Sequence, residues 1–262
     1  MTVQFFKYQG TGNDFVILDN RQKLYDTLTQ QQVHFLCDRR FGIGADGLML
    51  LNNQEGYDFA MKYYNADGRE SSMCGNGGRC LVKFAFHRGL VRSTYRFIAV
   101  DGEHEAEIDE HSQVRLRMQD VTKIEHRDDN SILNTGSPHF VKAVPDLEVV
   151  DVFKQGREIR NSKEFQPNGI NVNFVGNESD DEISVRTYER GVEDETLSCG
   201  TGVTAAALVN YHNENGFNEV QVRTRGGRLS VEFDRHPDGS FTNIWLCGPA
   251  EKVFEGTIAL PE

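Results

Sequence analysis

The sequence predicts an α/β (α+β) protein made of two similar, pseudo-twofold-related domains, each a sheet curled about one buried helix. Three observations carry this. Most of the chain consists of short β-branched and aromatic runs punctuated by turn residues. Only two segments read as helices, and both are apolar almost all round. The two halves also repeat each other at the 125-residue interval that separates Cys74 from Cys199.

In chain order, FVILD (15–19), GLMLL (47–51) and FAMKYYN (59–65) are strands by composition. A helix is expected over GGRCLVKFAFHRG (77–89), where the apolar residues Cys80, Leu81, Val82, Phe84, Ala85 and Phe86 are not confined to one stripe. A helix apolar almost all round is a buried one, and with strands around it the economical arrangement is a sheet wrapped about it. DGEHEAEID (101–109) then reads as part of a hairpin. After the polar stretch RMQDVTKIEHRDDN (117–130), the strands INVNFV and ISVRTYE lead to a second apolar helix in TGVTAAALVNYHNENG (201–216). Both helices are expected to end near a glycine. The hairpin segment GGRLSVEFD (226–234) and the strand NIWLC (243–247) complete the series.

The 125-residue shift lays Gly75 and Gly77 on Gly200 and Gly202, Tyr63 on Tyr188, Gly102 on Gly227, Glu107 on Glu232, and Asp109 on Asp234. Near the starts of the halves, a shift of 124 lays TGNDF (11–15) on TGSPH (135–139). Register held over a strand, a Cys-Gly-x-Gly, a helix and a hairpin indicates internal duplication. The expected domains are residues 1–120, containing Cys74, and 121–262, containing Cys199, with a seam near 118–125 and the last strand allowed to return to the first domain. An active site is expected in the cleft between halves.

A formal net charge of −12, from 40 acidic and 28 basic residues, opposes attraction to nucleic acid or anionic lipid. The most basic run, VRTRGGR (222–228), is broken by glycines and reads as a strand-turn-strand surface. No apolar stretch approaches a membrane span, and the N-terminus has no leader pattern, so a cytoplasmic location is expected. The odd set Cys37, Cys74, Cys80, Cys199 and Cys247 fits a reducing compartment better than a disulfide framework. Without Cys-x2-Cys pairs, and with scattered histidines, no metal site is expected.

Cys74 and Cys199 each stand immediately before a helix and are followed by glycines. Unpaired amides and the positive helix end favour anions there, including a thiolate and a ligand carboxylate. Lowering a thiol from about 8.5 to about 7 takes roughly 2 kcal/mol. A helix terminus supplies about 0.3–2 kcal/mol, so further hydrogen bonds are required. Duplication would set two such thiols facing each other, so that a carbon between them could lose a proton to one and gain a proton from the other. One such cysteine alone would read as core. Two in equivalent positions, with glycines that a packed core would waste, read as acid/base groups, while Cys37, Cys80 and Cys247 read as structural.

The segments TGNDF, FGIGADG, NADGRESSMCGNGGRC, SPHF, GINVNFV and YERGVEDETLSCGTG resemble diaminopimelate epimerases, in matching order along nearly the whole chain. The resemblance implies cofactor-independent interconversion of LL- and meso-diaminopimelate in lysine and peptidoglycan biosynthesis, with Cys74 and Cys199 as the catalytic thiols. It also implies two domains, each a β-barrel-like sheet around a central helix, and a homodimer. Asn13, Asn65 and Asn171 resemble the family's substrate amides; Glu189 and Arg190 look like a pair for a zwitterionic amino acid; Gly75, Asn76, Gly200 and Thr201 would supply helix-start donors. His139 and Glu189 would tune thiol protonation. The chain departs from the family pattern at Ser137, where many members have Asn, and at Gly47, where many have Gln.

Three rival readings remain at this stage: a proline or hydroxyproline racemase-like enzyme, a redox protein bridging Cys74 and Cys199, and a non-catalytic amino acid binder. The second acid-base head implied by YERG and the asparagines favours diaminopimelate over proline. The lack of a CxxC motif argues against redox function.

Overall fold

The computed structural model describes residues 1–71, 73–111, 113–179 and 181–261. Ser72 of the first cysteine motif and the expected domain bound at residue 262 lie outside the described residues. The first half of the chain forms β1 (Thr2–Gly10), β2 (Asn13–Asp19), α1 (Gln30–Cys37), β3 (Gly47–Asn52), β4 (Phe59–Asn65), β5 (Glu70–Ser71), α2 (Gly75–His87), β6 (Thr94–Ala99), β7 (Gly102–Ile108) and β8 (Val114–Arg117). The second forms β9 (Glu125–His126), β10 (Ser131–Asn134), β11 (Pro138–Ala143), α3 (Val152–Arg160), β12 (Asn171–Asn177), β13 (Glu182–Glu189), β14 (Asp194–Thr196), α4 (Gly200–Val209), β15 (Gly216–Thr224), β16 (Gly227–Arg235) and β17 (Phe241–Gly248). The final strand is β18 (Glu251–Ala259).

These elements group into two compact units. Unit 1 is Met1–Leu116 with the chain from Pro249 onward, and unit 2 is Arg117–Gly248. In unit 1, β18, β1 and β2 are antiparallel neighbours, β2 and β3 are parallel, and β3 and β4 are antiparallel. β4 then carries β5 antiparallel at one end and β6 parallel at the other, and β6 and β7 are antiparallel, as are β7 and β8. Unit 2 repeats this strand for strand, with β9 in the place of β18. The predicted mixed α/β fold of two similar domains is therefore observed.

Strand pairing refines the equivalence by one residue. Phe15 pairs with Gly47 and Leu48 with Tyr64, just as His139 pairs with Asn171 and Val172 with Tyr188. Tyr188 thus corresponds to Tyr64, and not to Tyr63 as the 125-residue shift suggested. Tyr64 and Tyr188 both pack into the apolar cluster beside the small helix of their unit, α1 or α3. The inserted residue lies between these strands and the cysteine motifs.

Each unit has one helix among its strands. In α2, every residue from Gly75 to Ala85 is buried, and the helix packs on β1, β2, β3, β7 and β18. In α4, Gly200 and every residue from Gly202 to Leu208 are buried, against strands from β10 to β17. A fully buried leucine or phenylalanine contributes about 1.5–3 kcal/mol, so the all-round apolar sequence fits this position. The second helix is shorter than expected. It stops at Val209 because Asn210 takes the C-cap and its side-chain amide donates to the Ala206 carbonyl at 2.8 Å.

Two helices were not anticipated. α1 starts with a capping box, in which Thr29 and Gln32 each accept from the other's backbone N–H. α3 starts with Asp151, whose carboxylate accepts from Lys154 N–H. Its central Gly156 is a poor helix former, yet a Cβ there would lie 2.4 Å from Tyr188 Cβ, so close packing on β13 requires glycine. Gly102 (φ +124°) and Gly227 (φ +142°) occupy equivalent positions after the two-residue turns of the β6–β7 and β15–β16 hairpins, where an L side chain would be strained. In VRTRGGR, Arg223, Arg225 and Arg228 pair with Glu178, Glu195 and Glu182, as expected of a surface hairpin. No helix among the described residues is long and apolar enough to cross a membrane.

Candidate active site

Each unit presents a cysteine at the N-cap of its central helix. Cys74 precedes α2 with φ −100° and ψ 130°, and Cys199 precedes α4 with φ −115° and ψ 112°. The extended N-cap conformation lets the cysteine carbonyl accept the first helical hydrogen bond, from Gly78 N–H at 2.7 Å and from Val203 N–H at 2.8 Å. First-turn amides, including those of Gly75 and Asn76 in one unit and Gly200 and Thr201 in the other, are then directed toward the helix start.

The glycines of the two motifs serve partly another purpose than expected. A Cβ on Gly77 would meet Met49 Sδ at 3.2 Å, and one on Gly202 would meet Asn173 Oδ1 at 2.4 Å. These two glycines face the sheet and allow the helix start to sit close on it. The expectation that such glycines would be wasted on packing does not hold for them.

In unit 1, Cys74 Sγ–H donates to Asn13 Oδ1 at 3.5 Å, and Asn76 Nδ2 donates to the same oxygen at 3.5 Å. Asn13 Nδ2 in turn donates to Asp46 Oδ2 at 2.5 Å. Asp46 belongs to FGIGADG, and Arg39 bonds both it and Asp14 at 2.7 Å. Lys7 also pairs with Asp14 at 2.6 Å and donates to the Gly44 carbonyl. Burial alone would raise the Asp14 pKa, but hydrogen bonds from Arg39 and Lys7 outweigh it and bring the carboxyl down to about 2. FGIGADG therefore fixes Asn13 beside Cys74. Below them, the fully buried Arg79 guanidinium donates to Asn76 Oδ1 at 3.0 Å and to Thr11 Oγ1 at 3.3 Å. Asn65 is exposed at the end of β4, opposite Gly47.

In unit 2, Cys199 Sγ lies 3.6 Å from Thr201 Oγ1, which lies 2.9 Å from His139 Nε2. His139 is fully buried, and desolvation, helped by the positive charge of Arg190, pushes its pKa down to about 3, so the ring is neutral. Asn171, Ser137 and Arg190 form one cluster. Asn171 Nδ2 donates to Ser137 Oγ at 2.8 Å and to the Pro138 carbonyl at 3.0 Å, while its Oδ1 accepts from Arg190 N–H at 2.8 Å. Arg190 Nη2 reaches Ser137 Oγ at 3.3 Å. Glu189 ends β13 at the position matching Asn65 on β4.

The register shows what the two departures are. Gly47 occupies the strand position of Asn171, and Ser137 that of Asn13, so each half carries an asparagine where the other carries a smaller residue. Sequence reasoning missed the supporting residues Arg39, Asp46, Arg79 and Asn173. Of these, Asp46, Arg79 and Asn173 lie in quoted motifs, and only Arg39 does not.

The other thiols differ in environment. Burial pushes Cys37 and Cys80 up to about 12, which suits packing and not proton transfer near neutrality. Among the described residues, no group of three or more His, Cys, Asp or Glu side chains is placed to hold a metal ion.

The diaminopimelate epimerase family profile matches residues 5–124 and again 131–253, one match for each half. The chain belongs to the diaminopimelate epimerase family. It is similar to the diaminopimelate epimerase of Flavobacterium psychrophilum, with 48% identity over 98% of this chain and 100% of that one. The diaminopimelate epimerase of Chlorobaculum tepidum is 46% identical, over 96% of this chain and 99% of that one. By family, it is a pyridoxal-phosphate-independent isomerase of the amino acid epimerase class. Among solved structures, a Bacillus anthracis phenazine biosynthesis protein of the PhzF family matches with a TM-score of 0.74 at 15% identity, over 99% of this chain and 100% of that one. A probable proline racemase from Agrobacterium radiobacter matches at 0.70 and 14%, over 99% and 93%. At such identities the likeness concerns the fold of diaminopimelate epimerases alone.

Proposed function

We propose that this protein interconverts LL- and meso-diaminopimelate without a cofactor, in lysine and peptidoglycan biosynthesis, and works as a cytoplasmic homodimer. Cys74 and Cys199 act on the α-carbon from opposite faces, one as thiolate base and the other as thiol acid. The observation that carries this reading is the duplicated N-cap cysteine, held in both units by the same strand pattern. Close similarity to relatives named diaminopimelate epimerase supports the substrate.

The α-carboxylate is received by the helix-start donors Gly75, Asn76, Gly200 and Thr201, where negative charge developing at the reacting centre is stabilised. Asn13, Asn65 and Asn171 supply amide contacts. Glu189 and Arg190 receive an ammonium and a carboxylate of the substrate, and His139 and Glu189 tune the thiols. The domains are assigned as 1–120 and 121–262, with the last strand given to the first.

Deuterium uptake at the α-carbon of each diaminopimelate isomer tests this reading. Wild-type protein should exchange both isomers, and Cys74→Ser or Cys199→Ser should slow epimerisation by about three orders of magnitude or more, within the range of lost acid–base catalysis. Elimination of HX from a halogenated analogue, which needs one base, should persist in each single variant. A loss of only a few-fold in both serine variants would defeat the two-base reading. Exchange of proline with diaminopimelate untouched would move the assignment to the racemase alternative.

A further inference from the structure

Behind Thr201, a buried hydrogen-bond chain fixes which nitrogen of His139 carries its proton. Asn173 is fully buried on β12, between His139 and β13. Its Nδ2 lies 3.1 Å from the Phe140 carbonyl oxygen and 3.1 Å from His139 Nδ1. Its Oδ1 accepts from Thr187 Oγ1–H at 2.9 Å. A carbonyl oxygen can only accept, so the atom facing Phe140 must be the amide nitrogen, which also sets the atom facing the ring. Asn173 therefore donates to Nδ1. The neutral ring must accept there, and its single proton sits on Nε2.

The direction then propagates. Nε2–H donates to Thr201 Oγ1 at 2.9 Å. With that lone pair occupied, the Thr201 hydroxyl proton is available to Cys199 Sγ, 3.6 Å away. The Thr135 hydroxyl donates to the Thr201 carbonyl at 2.8 Å, which holds the residue in place. Gly202 completes the arrangement, because any side chain there would strike Asn173 Oδ1.

We propose that Asn173 is a positioning residue that, through the Nε2–H tautomer of His139, makes the Thr201 hydroxyl a hydrogen-bond donor to the Cys199 thiolate. The inference deepens the proposed chemistry and rests on it for its purpose. It explains how a neutral histidine can tune a thiol: the ring exchanges no proton and instead orients one. When Cys199 holds the proton, its S–H can donate to the same threonine oxygen, so both states of the thiol find a partner.

The first test is the tautomer of His139, read by long-range 1H–15N NMR on labelled wild-type protein, with His139→Gln to assign the signal. A proton on Nε2 is expected, and a proton on Nδ1 would overturn the inference. The second test is the alkylation rate of Cys199 by iodoacetamide at neutral pH, followed by mass spectrometry of its peptide. Thr201→Val should slow alkylation about tenfold, the thiolate fraction lost in one pKa unit, and Thr201→Ser should restore it. Asn173→Asp, which cannot donate to Nδ1, should move the proton to Nδ1 and slow alkylation similarly. Unchanged alkylation in Thr201→Val would also overturn the inference. Neither readout needs substrate, so a wild-type enzyme that epimerises diaminopimelate with an Nδ1–H ring would sink this inference while sparing the proposed function.

Discussion

A methyl group at Gly202 would approach Asn173 Oδ1 to 2.4 Å, inside any tolerable contact. Gly202→Ala is therefore expected to lower the urea midpoint by an amount corresponding to about 1–3 kcal/mol, the usual cost of overpacking a close contact. Gly202 is helical and not at positive φ, so this cost is one of contact; Gly239→Ala, at φ +84° and facing open space, measures the separate cost of backbone strain. The sequence made Cys74 and Cys199 legible because a helix start leaves a composition signature: a small polar or thiol residue, then glycines, then an apolar run. It could not reveal Asn173 or Arg79. Their chemistry comes from partners on other elements: Asn173 from Phe140 and Thr187, and Arg79 from Thr11 across the unit.

The β1–β2 hairpin and the FGIGADG loop are joined by charge. Asp14, on β2, is held by Lys7 and Arg39, and Asp46 by Arg39 and Asn13. Because the folded pKa of Asp14, about 2, lies below its ordinary value of 3.8, the unfolded chain takes up a proton first as the solution is acidified. The stabilisation is fully present above about pH 4 and is lost as pH falls toward 2. An acid titration followed by circular dichroism should show this decline. Asp14→Asn should be less stable at neutral pH and should lose less between pH 4 and 2. The strands were readable from short β-branched and aromatic runs between turns, and the duplication from matching motifs. The register was not, since Tyr63 and Tyr64 are adjacent and identical; only backbone pairing tells which one corresponds to Tyr188. α1 and α3 escaped notice because they are short, and α3 carries a glycine that close packing demands.

At the scale of the whole chain, the last strand determines what each unit requires. β18 runs antiparallel along β1 from Thr2–Ala259 to Gln9–Glu251, and the Leu260 N–H donates to the Met1 carbonyl at 2.9 Å. A chain ended at Gly248 should lose this pairing and expose β1 as an unprotected edge. It is expected to aggregate, or to melt unit 1 at lower temperature while unit 2 stays folded, as read by calorimetry and hydrogen exchange. Unit 2, by contrast, is continuous in sequence. On the ribosome, where domains generally fold as units as they emerge, the later-translated half can finish first. The earlier half must wait, with most of its strands already made, for the final dozen or so residues to leave the exit tunnel, and in that interval it is the natural client for a chaperone.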